Sequence, residues 1–194
     1  MVYFQVPRQR VGSEITVSLL VKKANGFILC SGRKTMRVTE GCQFSVAMRD
    51  VPEEMVFVEG NGSIPDLYVC PHEVTQWEYE RYCFYGADRP SDAYGVGPNF
   101  PVYYVSFFDA IVYCNKRSMA EGFTPCYSIG GSTNPVDWGT VPTSYSTTWN
   151  NAECDNSADG YRLPTLNEWD YAWRGGLTND SHYYPGSNTK NDVA

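Results

Sequence analysis

The sequence predicts an α+β chain, rich in loops, with a small β-rich module ahead of a larger mixed domain. Three observations carry that reading. Residues 160–176 hold a complete set of signals for an extended piece, a turn and a helix. Two further helices are announced by the same kind of cap. Before them, residues 15–22 alternate in the two-residue period of a strand.

In the stretch 160–176, Pro164 pushes Leu163 out of the helical region, so Tyr161 to Leu163 read as extended. Thr165 and Glu168 have the spacing of a capping box, in which hydroxyl and carboxylate each accept a backbone N–H of the other residue. Leu166, Trp169 and Trp173 fall at helical spacing and predict an apolar stripe turned toward the core. Arg174 suits a helix C-terminus, and Gly175-Gly176 permit a left-handed stop.

The N-terminal 52 residues read as β. Ile15, Val17, Leu19 and Val21 alternate with their neighbours, Asn25-Gly26 is a hairpin turn, and Phe27 to Leu29 begin the return strand. Residues 43–48 alternate again, and the polar, proline-marked run 50–54 predicts a boundary. The expected domains are therefore 1–52, a small β-rich module, and 53–194.

The second region opens with a strand at 55–59, a turn at 60–62 and a strand at 67–70. Thr75 and Glu78 form a second capping box, predicting a helix to about Gly86. Residues 87–104 are loop, with a short extended run at 101–105. Ser106 and Asp109 cap a third helix, whose Phe107, Ala110, Ile111 and Cys114 predict a buried face ended by Gly122. The excursion 123–159 has no Lys or Arg; short strands are expected near 126–129 and 144–149. Residues 179–194 are polar, with a turn at Tyr183-Tyr184-Pro185-Gly186.

Chemistry is sparse. A formal charge of −7 with no offsetting basic patch argues against a nucleic-acid partner. No apolar run is long enough for a transmembrane helix, and residues 1–10 have no apolar core of a signal peptide. None of the seven cysteines (Cys30, Cys42, Cys70, Cys83, Cys114, Cys126, Cys154) forms a Cys-x-x-Cys pair, so a zinc or thioredoxin-type site has no support. Cys83 and Cys114 read as buried apolar residues. His72 beside Glu73 is no ligand set and reads as hydrogen-bonded scaffold. Residues 155–160 copy the first half of a calcium loop, but Leu166 stands where the twelfth-position glutamate belongs, so a turn is expected. Catalytic, cofactor and metal residues: none is assigned. The cofactor stays unknown; calcium is possible, with no ligands identifiable.

The string Tyr161-Arg162-Leu163-Pro164-Thr165, Glu168-Trp169, Tyr171-Ala172 and Arg174-Gly175-Gly176 resembles the formylglycine-generating-enzyme (sulfatase-modifying factor) family. So do Met55-Val56-Phe57-Val58, His72-Glu73-Val74-Thr75, Pro101-Val102, Val105-Ser106, Asp109-Ala110, Tyr113-Cys114-Asn115, Gly122 and Thr124-Pro125. The resemblance covers about residues 53–194. It implies a C-type-lectin-like fold. In the family's enzymes the oxidising cysteines and calcium ligands lie in the C-terminal half, so none transfers here, and the chain is expected to be truncated at its C-terminus. Two functions follow from the resemblance. One is a ligand-binding protein, a surface-displayed receptor akin to the variable proteins of diversity-generating retroelements, engaging a protein or small molecule through its loops. The other is an oxidase acting on a cysteine or related thiol. A cell-surface or periplasmic location is implied by analogy, and the oligomeric state is unknown.

Overall fold

A computed structural model describes residues 14–22, 28–37, 39, 49–50, 55–86, 88–178, 182–184, 187–189 and 191. The chain divides into two compact units, Met1–Pro71 and His72–Ala194. The division expected near 52/53 lies inside the first unit, and residues 51–54 are outside the described ones, as are the Asn25-Gly26 turn and the 43–48 alternation.

In the first unit β1 (Glu14–Lys22) pairs antiparallel with β2 (Ile28–Arg37), from Glu14 opposite Arg37 to Val21 opposite Cys30. The register slips between Val21 and Lys22, a bulge. A two-residue β3 (Arg49–Asp50) adds to the far side of β2. A separate hairpin joins β4 (Val56–Val58) to β5 (Leu67–Val69). Phe57 and Tyr68 face each other across it, rings 5.3 Å apart, the cross-strand aromatic pair that stabilises such ribbons. Its loop closes because Asn61 Oδ1 accepts the Ser63 and Ile64 N–H groups. Gly60 passes so close to Ile64 O that a Cβ there would lie 2.3 Å away.

The second unit is built on three capped helices. In each, a hydroxyl accepts the N3 amide and the N3 carboxylate accepts the cap amide: Thr75 with Glu78 for α1 (Gln76–Glu80), Ser106 with Asp109 for α2 (Phe107–Glu121), and Thr165 with Glu168 for the helix Leu166–Trp173. Helix α1 is shorter than predicted. Cys83 and Tyr82 N–H both return to Tyr79 O, a tightened last turn, because the Tyr82–Tyr85 run has low helix propensity and Gly86 follows. Gly122, at φ 81°, ends α2 as predicted.

Helix α2 runs through the core. Ile111 is fully buried, with Val112, Tyr113 and Cys114 beside it. Phe107, predicted on that face, is exposed instead: it sits in the first turn, before the helix enters the core. Buried Asn115 fastens α2 to β6 (Tyr127–Ser128), donating to Tyr127 O and Thr133 O and accepting from Tyr127 N. The strand predicted at 144–149 is a short helix, α3 (Thr147–Asn150). Burial of Trp149 against Trp138 and Phe108, ring edge to ring face, outweighs the β-propensity of Thr147 and Thr148. The partner of β6 is β7 (Glu153–Cys154).

The last helix, α4 (Leu166–Trp173), is capped as predicted and stopped by Gly175 and Gly176 at φ 76° and 65°. The Tyr161–Leu163 piece that feeds it joins no ladder among the described residues. Its apolar stripe does not face inward. Leu166 is 80% exposed and Trp169 54%, with Trp173 half-buried. The buried residue on α4 is Glu168, held bidentately by Arg162 at 2.7 and 2.6 Å. That ion pair, not the indoles, orients the helix.

Candidate functional site

The loop 88–104 is the best-organised exposed surface of the second unit. Its fastener is Gln76, 4% exposed at the start of α1. Gln76 Nε2 donates to Gly95 O and Pro101 O, Oε1 accepts from Gly97 N, and its own N–H donates to Phe100 O at 2.8 Å. Every polar atom of that amide is thus spent on the loop. Phe100 lies on Gly95, where φ is 95° and a Cβ would come within 2.4 Å of the ring, so the backbone there favours glycine. Tyr103's hydroxyl accepts from Ser91 N at 2.6 Å and donates to Ser91 O at 2.9 Å.

On this frame stand three rings in a row. Tyr94 meets Tyr103 edge-on at 5.9 Å, and Tyr103 tilts against Tyr104 at 5.0 Å. Tyr94 and Tyr104 are exposed. Tyr104 has φ 59°, the one positive value for a non-glycine among the described residues. A bulky residue held in the left-handed region is strained, and such strain persists where the surroundings over-determine it. Rigid, exposed tyrosines on a fastened loop give contact area at low entropic cost. The sequence does not disclose this frame, because Gln76 and its partners are 19 to 25 residues apart.

A second polar knot is architectural. Arg117 sits 4.3 Å over the Tyr161 ring, donates to Glu121 and Tyr113, and approaches Glu78 at 4.0 Å. Glu121 also accepts from the Tyr82 and Tyr161 hydroxyls. Burial works to raise the Glu121 carboxyl, but the Tyr161 and Tyr82 hydrogen bonds and Arg117 outweigh it and hold it below its usual range. His72, exposed, uses Nδ1 to donate to Glu73 O at 2.8 Å and lies 3.9 Å from the Glu78 carboxylate.

Four of the described thiols hold their protons more firmly than a free cysteine does. Burial pushes Cys114 up to about 12 and Cys83 and Cys126 to about 11, and raises Cys154 as well. Cys83 and Cys114 are buried, as the sequence predicts. Cys126 donates to Gly160 O. A thiol held protonated is a weaker nucleophile than a free cysteine, and neither Cys83 nor Cys114 has the lowered value of an activated thiolate.

Residues 155–160 form the turn the sequence predicts. Asp155 Oδ1 accepts from both Ser157 N and Ser157 Oγ, bonds that hold its carboxyl below the usual range. Asp159 Oδ1 accepts from Thr124 N at 2.9 Å. One oxygen of each of these carboxylates is turned onto the chain itself, the arrangement of a side-chain-stabilised turn.

Similarity decides the family. The model of the sulfatase-modifying factor enzyme 1-like domain matches residues 28–194. This chain belongs to that family. The match opens at residue 28, earlier than residue 53, where the sequence motifs place its start. The chain is 30% identical over 187 residues to the chaperone protein LppX of Paenibacillus barcinonensis, covering 92% of this chain and 61% of the relative. Among solved structures it is similar to Treponema denticola variable protein 1, at 29% identity and a TM-score of 0.53, covering 66% of this chain and 48% of that one. The crystal structure of CarF shares the fold, at 23% identity and a TM-score of 0.50, covering 65% of this chain and 53% of the other. The chain thus spans about half to three-fifths of the length of these relatives. Among the described residues no helix is long and apolar enough to cross a membrane.

Proposed function

We propose that this chain is part of a formylglycine-generating-type domain with a C-type-lectin-like arrangement, and that the whole protein oxidises a cysteine or related thiol. The observation that carries this reading is the match of the family's enzyme domain over residues 28–194. On this reading the chain supplies scaffold, with Cys83, Cys114 and Cys126 buried in it, and the loop 88–104 engages the substrate. The redox-active groups then come from elsewhere in the protein, in keeping with the length the relatives have and this chain does not span.

The test is direct. The natural gene product containing these residues is incubated aerobically with a peptide bearing one reduced cysteine. Oxygen uptake matched by loss of that thiol in the mass spectrum is the expected result. A folded protein that consumes neither overturns it.

A second reading has its own support: similarity to a variable protein, together with the exposed Tyr94–Tyr103–Tyr104 row. On it the protein is a surface or periplasmic receptor for a protein or small molecule. Retained binding to a captured ligand, lost in Tyr94→Ala/Tyr104→Ala without loss of folding and without any thiol oxidation, selects this reading over the first. Proteinase accessibility on intact cells tests the location.

A further inference from the structure

The loop between β4 and β5 carries a chemistry that the candidate site does not use. Asn61-Gly62 stands at its tip, with Asn61, Gly62 and Ser63 all exposed. A glycine amide that follows an asparagine can close a ring on the side-chain carbonyl, because no Cβ screens its nitrogen. At Gly62 even an added Cβ would meet nothing within 4 Å, so the approach is open.

The loop also supplies what that ring closure lacks in a free peptide. Attack at Asn61 Cγ places negative charge on Oδ1. That oxygen already accepts the Ser63 N–H at 3.0 Å and the Ile64 N–H at 2.9 Å. Two fixed backbone donors on one carbonyl oxygen are the arrangement that stabilises an oxyanion. They also hold the side-chain amide in place, which removes a rotamer search from the reaction. The frame around them is fastened: Asn61 N donates to Ile64 O at 3.1 Å, and the buried Gly60 donates its N–H to Asp66 Oδ1 at 2.9 Å. The reacting groups stay unengaged. Among the described residues, neither the Gly62 N–H, which attacks, nor Asn61 Nδ2, which leaves, is hydrogen-bonded.

We infer that Asn61 is a site of self-catalysed deamidation, with the Ser63 and Ile64 amides as its oxyanion donors. The Gly62 nitrogen gives its proton to water or hydroxide and bonds to Cγ. The tetrahedral centre collapses as the Cγ–Nδ2 bond breaks, and Nδ2 takes up a proton and departs as ammonia. Water then opens the cyclic imide at either carbonyl, leaving an aspartate or an isoaspartate in place of the asparagine. No electron is gained or lost, and water is the sole co-reactant. Each conversion adds a negative charge to a chain of formal charge −7. The isoaspartyl product threads the backbone through Cβ, a methylene longer, in a loop where Gly60 already lies tight against Ile64 O. None of this depends on the activity assigned to the protein.

The 194-residue chain is held in neutral and in mildly alkaline buffer, and its digest is followed by mass spectrometry. A synthetic peptide of residues 55–69 is the reference without the fold. The amide-to-acid mass change at Asn61 is expected about tenfold faster in the folded chain than in the peptide, and faster in the alkaline buffer. Chromatography is expected to resolve both aspartyl and isoaspartyl forms. Asn25-Gly26, the other such pair in the sequence, is scored on its own peptide. On ion exchange, an acidic form is expected to accumulate, to comigrate with Asn61→Asp and to be missing from Asn61→Ser. A rate in the folded chain equal to or below that of the peptide overturns the inference, since the turn then protects the amide. So does a product that is aspartate alone, which marks direct hydrolysis without the imide.

Discussion

Helices α2 and α4 begin alike. Ser106 with Asp109 and Thr165 with Glu168 make the same reciprocal cap, and left-handed glycines follow both. Both carry apolar residues at helical spacing. Yet α2 buries Ile111 and Cys114 in a core of aromatic rings, whereas α4 buries its N3 glutamate and leaves an indole in solvent. Local signals settle that each segment is helical. They do not settle which face is covered, because that depends on what else is present to pack.

The comparison predicts a series of unequal effects in this chain. The largest is Arg162→Ala, which leaves Glu168 buried and unpaired and is expected to cost about 3–5 kcal/mol. Chemical denaturation of the second unit measures it. The same pair gives a pH dependence. Arg162 holds the Glu168 carboxyl down to about 2, below its ordinary 4.5. A lowered folded-state value stabilises above the ordinary one, so this contribution is complete above pH 4.5 and drains away as pH falls toward 2. An acid-unfolding curve unchanged by Arg162→Ala breaks this account.

Next comes Ile111→Ala on α2, expected to cost about 2–5 kcal/mol through the cavity left in a closed core. Smaller, and equal for the two helices, are Ser106→Ala and Thr165→Ala at roughly 1 kcal/mol each. Equality there sharpens the comparison, since the caps match while the faces differ. The smallest is Trp169→Ala, expected to change the stability of this chain by less than about 0.5 kcal/mol, as for an exposed surface position. A loss like that of Ile111→Ala shows instead that the stripe is covered within these residues.

Much of the fold is legible in the sequence because its signals are short-range. The three caps, the β4–β5 hairpin and the stop at Gly122 each rest on residues within a few positions of one another. The misreadings are the long-range ones. Thr147 and Thr148 favour a strand until Trp149 finds Trp138 and Phe108. The stripe on α4 reads as core until Arg162 captures Glu168. The candidate site is less legible still. Nothing beside Gln76 in sequence indicates that its amide holds residues 95–101, and the left-handed Tyr104 follows a loop whose closure lies in that amide.

The excursion between α2 and α4 is tied at its base. Asp159 accepts from Thr124 N, Cys126 donates to Gly160 O, and a Cβ on Gly160 would lie 2.3 Å from Thr124 O. Trp138 and Trp149 anchor its middle, leaving residues 139–146 largely outside as the span between two fixed points. Chain added there has its ends already held, and each doubling of a loop's length costs only about 0.6 kcal/mol. Insertions and deletions during divergence can therefore accumulate at this span while the knot at Gly160 keeps its one permitted residue.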